Sequence, residues 1–296
     1  MVVSIVVCTR DRTEKLSQCL AALRQIDTSV AWEVVVVDNG TTRASAELMR
    51  SAEACGDLEL RVVVEPVGGL GRARNLGWRE ARGDVVAFVD DDCRVTPSFV
   101  DDVAVAFADE RIGFVAGRIL RANRRDLKVT IEERTRARAF DPQRFIAAGS
   151  VHGANLAIRR EVLVAIGGFD PNLGAGTPFC AEDIEAVARA SWRGVSGVYD
   201  ARPTVVHDHG RRTRAERRAV LRSYDRGRGA YFASLMRHRP ARLAYGFGWL
   251  RTTAAGSAVT IRPGRPFREL AAAIQFLRVA GAKATGEAEP AAGELP

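Results

Sequence analysis

Three consecutive carboxylates, Asp90, Asp91 and Asp92, follow the apolar run 85–89 and are the residues best suited to chemistry. Acidic side chains this close together repel one another, and a divalent cation carrying a phosphorylated ligand would neutralise them. A solvated turn after a buried strand would also place Asp residues there, because Asp is common in turns. The triplet therefore indicates either a cation site or an ordinary acidic turn.

The first 95 residues alternate short β-branched runs with helical patterns, which is typical of βαβ units around a buried parallel sheet. The predicted strands are residues 2–8, 33–37, 60–65 and 84–89. The predicted helices are residues 13–24, 45–54 and 72–81. The sequence thus predicts an α/β fold with a mostly parallel, Rossmann-like central sheet.

Polar or glycine-rich residues follow all four of these predicted strands. Thr9 and Arg10 follow the first, Asp38 the second, the segment 68–71 the third and the acidic triplet the fourth. In such sheets, ligands bind at the carboxyl ends of the strands. Each segment alone could be a simple turn, but their joint placement favours a binding site.

Beyond residue 95 the pattern is mixed. We expect helices at residues 97–108 and 182–192, and strands at residues 113–117, 149–158, 195–199 and 204–207. The arginine-rich stretch 118–138 is predicted to be a solvated helix or a mobile loop. Together these elements suggest one domain over residues 1–210, with a first half at 1–95 and a second half at 96–210.

The charge is unevenly distributed along the 296 residues. Residues 1–210 contain 27 Lys and Arg against 30 Asp and Glu, whereas residues 211–296 contain 17 against 6. We expect residues 211–285 to form a basic helical region that can meet phosphate, nucleic acid or an anionic membrane. Residues 286–296, rich in Ala, Gly, Pro and Glu, are predicted to be disordered.

The five cysteines are scattered and form no C-x-x-C pair, so neither a disulfide framework nor a zinc site is predicted. No run of 18 apolar residues occurs, so no segment of the sequence is expected to span a bilayer. The apolar residues 1–8 are too short for a signal peptide and are predicted to be the first strand. A reduced, cytoplasmic protein fits these features best.

An ordered set of motifs over residues 2–210 resembles the family-2 glycosyltransferases, which are inverting nucleotide-sugar enzymes of the GT-A fold. The motifs are SIVVCTRDR at 4–12, EVVVVDNG at 33–40, GLGRARNLG at 69–77, VDDD at 89–92, GANLAIRR at 153–160, GGFD at 167–170 and the pair Glu182-Asp183. Each motif alone is weak, but the ordered set is specific. The resemblance implies that residues 1–210 are a GT-A catalytic domain, with a nucleotide-binding half at 1–95 and an acceptor-binding half at 96–210.

In that family an Asp-x-Asp motif approaches the nucleotide sugar and its metal. The resemblance implies that Asp90 faces the ribose or the sugar and that Asp92 ligates Mg²⁺ or Mn²⁺. Such a cation stabilises the charge of a leaving nucleoside diphosphate. Asp91 would border the donor or simply face solvent. The positions that match nucleotide binding are Thr9, Arg10, Asp38, Arg74 and Asn75.

The same resemblance implies which residues meet the acceptor. Asp183 matches the family's general base, which takes the proton of the acceptor hydroxyl during attack on the anomeric carbon. Glu182 would hydrogen-bond the acceptor or cap the following helix. His207, at a predicted strand end, would complete the metal shell, with His209 as the reserve ligand.

The implied partners are a nucleoside-diphosphate sugar and a hydroxyl-bearing acceptor, which could be a glycan, a lipid-linked compound or a small natural product. No nucleic-acid partner is expected. Residues 243–261 combine aromatic and arginine residues. That combination fits peripheral contact with the inner face of a membrane, packing on the catalytic domain or a homodimer contact.

Two other classes of protein remain as alternatives. A sugar nucleotidyltransferase also uses a doubly wound sheet and acidic metal ligands, but it usually has an N-terminal Gly-rich loop, which residues 8–12 lack. A nucleic-acid-binding protein would use the basic region 211–285 with interleaved aromatic residues. That reading leaves the acidic strand ends unexplained.

Overall fold

The computed structural model describes residues 1–40, 43–259 and 264–286. The strands in these residues are β1 Val3–Thr9, β2 Trp32–Asp38, β3 Leu60–Val64, β4 Val85–Asp90, β5 Cys93–Val95, β6 Ile112–Arg121, β7 Arg138–Phe140, β8 Asn155–Arg159 and β9 Ser196–His207. The helices are α1 Thr13–Leu23, α2 Arg43–Cys55, α3 Leu70–Glu80, α4 Phe99–Ala106, α5 Arg160–Ile166, α6 Glu182–Trp192, α7 Arg214–Arg237, α8 Arg242–Val259 and α9 Arg265–Gly286. The predicted disordered tail lies outside the described residues, except for the last residue of α9.

All of these strands belong to one sheet, with the order β3-β2-β1-β4-β8-β6-β9-β5 and with β7 paired to β9. Strands β1 to β4 are parallel to one another, and β6 and β9 run in the same direction beyond the antiparallel β8. β5 and β7 are antiparallel to β9. Most strands of the described sheet therefore share one direction. This confirms the predicted α/β fold with a mostly parallel sheet and C-terminal helices.

The central strands are buried on both faces of the sheet, which explains their continuous apolar runs. Along β1, Val6 belongs to one hydrophobic core, whereas Ile5 and Val7 belong to the other. Trp78 of α3 packs into the first core and Leu20 of α1 into the second. Helices on both faces thus remove the need for polar residues at alternate strand positions.

The register of the strands brings distant strand ends to one edge of the sheet. Cys8 of β1 pairs with Asp90 of β4, and β2 ends beside β1. Cys93, directly after the acidic triplet, pairs with His207 at the end of β9. Residues from the beginning and the end of the predicted domain therefore meet at this edge.

The prediction of a helix or a mobile loop over residues 118–138 is wrong at both ends of that segment. β6 continues to Arg121, and β7 begins at Arg138. Between them, Ile119 and Glu132 exchange two backbone hydrogen bonds of 2.9 and 3.0 Å. The arginines concealed a strand end, because Arg118 and Arg121 pair with β9 through their backbones, which the side-chain type does not reveal.

The two late strands predicted at residues 195–199 and 204–207 form a single long strand, β9. Its pairing with β6 shifts register between Ala116 and Arg118, so β9 continues past the irregularity. Pro203 lies inside β9, and proline interrupts a strand pattern because it lacks a backbone N–H. Tertiary pairing with β6 overrides that local signal.

The C-terminal helices pack onto the core of the preceding residues. α7 begins at a capping box in which Thr213 Oγ1 accepts from Glu216 N at 3.2 Å and the Glu216 carboxylate accepts from Thr213 N at 2.7 Å. Further along α7, Tyr231 and Phe232 are fully buried. The Tyr231 hydroxyl donates to the Ile146 carbonyl at 2.7 Å. The predicted appendage thus shares a core with the domain that precedes it.

A buried carboxylate holds α9 against α7 and α8. Glu269 accepts from Arg228 Nε at 2.9 Å, from Arg265 Nε at 2.7 Å and from Trp249 Nε1 at 2.7 Å. A buried charge is tolerated only when it is paired and hydrogen-bonded in this way. None of the helices in the described residues is both long and apolar enough to cross a membrane.

Candidate active site

A cleft at the carboxyl ends of the strands contains two adjoining cavities. The first, of about 460 Å³, is lined by Asp90, Asp91, Asp92 and His207 among others, and we call it the triplet cavity. The second, of about 430 Å³, is called the Asp183 cavity after the carboxylate in its wall. Residues that line both cavities are Leu70, Asp90, Thr130, Ala175, Cys180 and Tyr224. A ligand can therefore extend from one cavity into the other past Asp90.

Asp91 is buried, so the expectation that it could simply face solvent is wrong. It is only 5% exposed. Its Oδ2 accepts from Thr9 Oγ1 at 2.8 Å, and its Oδ1 accepts from Arg12 Nη1 at 3.1 Å. Burial raises the pKa of Asp91 to about 6, although Arg12 and Thr9 oppose the shift. Asp91 therefore ties the end of β4 to the segment after β1.

Asp92 and His207 face each other across the ends of β4 and β9. His207 Nε2 lies 3.1 Å from Asp92 Oδ1. On the other side of the ring, His207 Nδ1 lies 3.3 Å from the Thr130 carbonyl, which can only accept a hydrogen bond. Nδ1 therefore carries a hydrogen, and Nε2 of the neutral ring presents a lone pair to Asp92. A proton or a metal cation is needed between these two electron-rich atoms.

Electrostatics around this pair favour a positive charge. Burial disfavours the Asp92 carboxylate, but His207 and Arg12 outweigh it and lower the pKa of Asp92 to about 2. Burial likewise disfavours a charged His207, yet the Asp92 carboxylate raises the pKa of His207 above its ordinary value. A proton and a metal cation thus compete for the same position.

The residues at this position fit a divalent cation. Asp92 Oδ1 is buried and, among the residues that the structure describes, receives no well-aligned hydrogen bond. Single donor atoms of Asp92, Cys93 and His207 lie within 4.8 Å of one another. Burial raises the pKa of the Cys93 thiol well above its ordinary value, which makes it a poor ligand. Carboxylate and imidazole remain, and both suit Mn²⁺, while the carboxylate suits Mg²⁺.

His209, the reserve ligand, is engaged elsewhere. Its Nε2 lies 3.0 Å from the Leu127 carbonyl, and its Nδ1 accepts from Arg211 N at 3.0 Å. The intervening Asp208 pairs with Lys15 at 2.7 Å. Because both ring nitrogens of His209 meet the backbone, the structure brings His207 to Asp92 and leaves His209 aside.

The residues predicted to hold the nucleotide near β1 and β2 are only partly brought together. Thr9 and Arg10 line the triplet cavity. Asp38 is not among the residues that line either cavity, and its Oδ1 accepts from Gly40 N at 3.1 Å, as in an Asx-turn. Its neighbour Asn39 lines the triplet cavity instead. The contact of Asp38 with a base stays a prediction.

Arg74 is buried and joins two of the predicted site carboxylates. Its Nη1 lies 2.6 Å from Glu182 Oε1, and its Nη2 lies 3.2 Å from Asp90 Oδ1. A Cβ at Gly153 would lie 2.4 Å from the Arg74 guanidinium, so a side chain there would displace it. Arg74 thus fixes the wall between the two cavities. Its predicted contact with the nucleotide diphosphate stays a prediction.

Asn75 braces a loop and does not line either cavity. Its Nδ2 donates to the Phe169 carbonyl at 2.8 Å, and its Oδ1 accepts from Phe169 N at 2.8 Å and from Trp78 Nε1 at 3.0 Å. Both ends of the amide are therefore used within the protein. The structure does not bring Asn75 to the acidic triplet, and its predicted nucleotide contact has no geometric support.

Asp183 and Glu182 occupy the first turn of α6 but differ in environment. Asp183 lines its cavity, where Oδ2 accepts from Gly153 N at 2.6 Å and Oδ1 accepts from Ile184 N at 2.7 Å. These backbone donors fix the direction of the carboxylate. Burial raises the pKa of Glu182 to about 7, although Arg74 opposes the shift. Asp183 is the more exposed of the two and the better placed to meet a substrate.

Several cavity-lining residues escaped the sequence analysis. Arg12 bridges Asp91 and Asp92, and only its place in the polar segment after β1 could have marked it. The residues that the C-terminal region adds to the triplet cavity are Arg211, Val220, Ser223 and Tyr224. The Tyr224 hydroxyl shares a 2.5 Å hydrogen bond with Thr130 Oγ1. The sequence analysis expected this basic region to be able to meet phosphate, but which of its residues reach the cleft is decided by the packing of α7.

Solved structures of glycosyltransferases share this architecture. The mannosyltransferase PcManGT from Pyrobaculum calidifontis, in complex with GDP-Man and Mn²⁺, matches with a TM-score of 0.63 and 19% identity over 96% of this chain and 80% of that chain. TarS of Staphylococcus aureus in complex with UDP-GlcNAc matches with a TM-score of 0.59 and 18% identity over 94% of this chain and 81% of that chain. At such identities the likeness shows the fold, which is GT-A.

Sequence comparison then shows the family. The profile of "Glycosyl transferase family 2" matches residues 4–167, more than half of the 296 residues, so the chain belongs to glycosyl transferase family 2. An N-acetylglucosaminyltransferase of Mesorhizobium japonicum is 28% identical over 127 residues, which are 43% of this chain and 30% of that protein. Glycosyltransferase AglE of Haloferax volcanii is 25% identical over 225 residues, covering 68% of this chain and 67% of AglE. The match to the first relative thus spans less than a third of that relative's length.

Proposed function

We propose that this chain is a metal-dependent, inverting glycosyltransferase that moves a sugar from a nucleoside-diphosphate sugar to a hydroxyl acceptor. The adjacency of the two cavities carries the proposal. The triplet cavity offers Asp92 and His207, the other cavity offers Asp183, and Asp90 lines both. Membership of glycosyl transferase family 2 supports the reaction class.

The triplet cavity is the proposed site of the nucleoside diphosphate. Asp92 and His207 would hold Mg²⁺ or Mn²⁺, which when bound stabilises the negative charge on a leaving diphosphate. Arg10, Arg12 and Arg211 line the same cavity, and guanidinium groups make charge-assisted hydrogen bonds to phosphate oxygens. PcManGT in complex with GDP-Man and Mn²⁺ and TarS in complex with UDP-GlcNAc support a nucleotide-sugar donor.

Asp183 is the proposed general base. In a single displacement, the acceptor oxygen attacks the anomeric carbon from the face opposite the diphosphate. The acceptor proton passes to a carboxylate oxygen of Asp183 while the new C–O bond forms and the bond to the diphosphate breaks. Attack from the opposite face inverts the configuration of the anomeric carbon. The backbone donors at Gly153 and Ile184 support this role, since they hold the carboxylate in one orientation.

Arg74 and Glu182 are proposed to position the reacting groups. Arg74 pairs with Asp90, which lines both cavities, and with Glu182, which precedes the base. Because one guanidinium pairs with both carboxylates, it restrains the movement of Asp90 and of Glu182. Small displacements of a reacting group cost rate steeply, so a buried link of this kind matters for the transfer step.

A panel of nucleotide sugars tests the proposal. The full chain is titrated with UDP-, GDP- and TDP-sugars in Mn²⁺, in Mg²⁺ and in a chelator, and release of nucleoside diphosphate is followed with time. We expect one group of donors to bind, and the affinity to fall at least about 10-fold when the metal is removed. Binding should be lost in Asp92→Ala and retained in Asp208→Ala, a neighbouring carboxylate that pairs with Lys15.

Three results would contradict the proposal. The first is that no nucleotide sugar binds with either cation. The second is that the chain joins a nucleoside triphosphate to a sugar phosphate, which is the activity of a sugar nucleotidyltransferase. The third is tight, salt-sensitive binding of an oligonucleotide without any donor binding.

A further inference from the structure

Helices α8 and α9 carry large apolar side chains that are exposed in the described part of the chain. Those spaced three or four residues apart are Leu243, Phe247 and Leu250 on α8, and Phe267, Leu270, Ile274 and Leu277 on α9. Their exposures run from 43% to 85%. Intervals of three and four residues place each set on one side of its helix. We call these seven residues the α8–α9 face. Single exposed apolar residues are ordinary, but an organised set marks an interaction surface.

The opposite sides of both helices are fixed to the rest of the protein. On α8, the Tyr245 hydroxyl lies 3.2 Å from that of Tyr231, and the Trp249 ring stacks on Phe232 with centroids 5.7 Å apart. On α9, the Phe276 ring meets Phe179 edge-on at 5.8 Å. The α8–α9 face is therefore the outer side of two anchored helices.

The charges beside this face are all of one sign. Among described side chains on α8 and α9, the exposed charged residues are Arg242, Arg251 and Arg278. Between residues 242 and 281 the sequence contains a single acidic residue, Glu269. It is fully buried and pairs with arginines. The outer surface of these helices thus combines bulky apolar side chains with positive charge and has no exposed negative charge to balance it.

We propose that the α8–α9 face docks the protein onto an anionic lipid bilayer. Apolar side chains would enter the boundary between headgroups and acyl chains, while the arginines would meet lipid phosphates. A second copy of this chain fits the face less well, because a two-fold contact through it would bring arginine against arginine. The contact is peripheral, because it uses only the outer side of two helices whose other side packs on the protein.

Helix α9 contributes both to the α8–α9 face and to the wall of the Asp183 cavity. Arg265, the first residue of α9, lines that cavity and lies two positions before the exposed Phe267. Phe179, which α9 contacts, lies four positions before Asp183. Docking would hold the Asp183 cavity close to the bilayer, within reach of a lipid-borne hydroxyl acceptor. That last step rests on the proposed function, whereas docking itself does not.

Vesicle binding tests the proposal without any turnover. The full chain is sedimented with vesicles of phosphatidylcholine alone and of phosphatidylcholine with phosphatidylglycerol. We expect binding to the anionic vesicles that is at least about 10-fold tighter than to the neutral ones and that weakens as salt rises. Equal binding to both vesicles, or binding to neither, would overturn the proposal.

Two sets of variants show whether the α8–α9 face is responsible. Phe247→Ser with Phe267→Ser should weaken anionic-vesicle binding at least about 10-fold, because two aromatic side chains no longer enter the boundary. Arg242→Gln, Arg251→Gln and Arg278→Gln together should weaken it about 100-fold, since each arginine is worth about five-fold.

The control variant is Val64→Ser with Val164→Ser, two valines that are each 62% exposed outside α8 and α9. It should bind vesicles as the unchanged chain does, and circular dichroism should show that all variants are folded. If the face variants bind vesicles normally, the proposal is wrong. It is also wrong if the chain sediments as a dimer that Phe247→Ser with Phe267→Ser converts to a monomer while vesicles remain unbound, because a second copy then covers the face.

Discussion

The triplet cavity and the Asp183 cavity are neighbours of similar volume, yet they manage buried charge in opposite ways. In the triplet cavity, the guanidinium that pairs with both Asp91 and Asp92 is that of Arg12, whose side chain is 46% exposed. In the wall of the Asp183 cavity, Glu182 is paired with the fully enclosed Arg74. The triplet cavity is therefore suited to receive a cation with its ligand. The Asp183 cavity already has a cation in its wall, the Arg74 guanidinium.

This difference predicts two kinds of sensitivity. Changes in the triplet cavity should act on metal and donor binding, because an incoming cation competes with a proton for the position between Asp92 and His207. Changes around Asp183 should act on the transfer step, on stability and on pH dependence, because the internal pair there is buried. Variants of residues in each cavity test this difference.

The largest effect is expected at Asp183. Asp183→Asn removes the proton acceptor and should lower kcat about 1000-fold, within the range for loss of a general base. Donor affinity measured by titration should stay within about two-fold of the unchanged chain. Glu161→Gln, an exposed carboxylate in the first turn of α5, is the matched control. Full transfer activity in Asp183→Asn would rule out this residue as the base.

A smaller effect, on metal binding alone, is expected at His207. His207→Ala should raise the Mn²⁺ concentration needed for half-maximal activity about 10- to 100-fold, because one of the two best donors is lost. His209→Ala should leave it nearly unchanged, since both ring nitrogens of His209 contact backbone groups. Equal effects of the two variants would remove the basis for assigning His207 to the metal.

Removing the Arg74 link should affect both cavities modestly. Arg74→Met leaves Glu182 and Asp90 without their shared cation, and we expect a loss of about 3 kcal/mol in the free energy of unfolding. Activity at a temperature where the variant is folded should fall about 10-fold. Arg74→Lys keeps the charge but cannot reach both carboxylates in the same way, so it should rescue stability only in part. A neutral effect of Arg74→Met on both measurements would contradict the positioning role.

Glu182 is also expected to cause a pH dependence of stability. Its pKa in the folded protein is about 7, above the ordinary value of 4.5. The folded state therefore holds this proton more tightly than the unfolded state, so the contribution to stability is complete below pH 4.5 and is lost as the pH rises through 7. Between pH 5 and pH 8, the free energy of unfolding should fall by about 2.5 kcal/mol more than in Glu182→Gln. Urea unfolding of both proteins across this range measures it, and parallel pH profiles would exclude the shift.

The sequence was sufficient for the parts of the site that depend on local order along the chain. Strand-type runs followed by polar residues predicted that the ends of β1, β2 and β4 share one edge. The helix predicted at residues 182–192 is the observed α6. These predictions succeeded because an apolar run long enough for a strand, ended by polar residues, specifies both the element and its edge.

The sequence left open the roles of side chains whose partners lie far away along the chain. Asp91 was expected either to border the donor or to face solvent, and the structure excludes the second outcome because Thr9 and Arg12 enclose it. Asn75 belongs to a family motif and its nucleotide contact stays a prediction, while in the structure its amide holds the Phe169 backbone. A motif gives the residue type at a position, and it does not say which of several hydrogen-bonding partners the folded chain supplies.

The α/β fold, the acidic edge of the sheet and the positions of the candidate carboxylates could be read from the sequence, because hydrophobic period and turn chemistry are local properties. Which groups meet depends on how the chain folds. The register of β5 on β9 sets His207 beside the residue after Asp92, the Arg74 guanidinium links Asp90 to Glu182, and packing of α7 closes the cleft with Tyr224. These contacts depend on pairing and packing between segments up to more than 100 residues apart, and no local pattern encodes them.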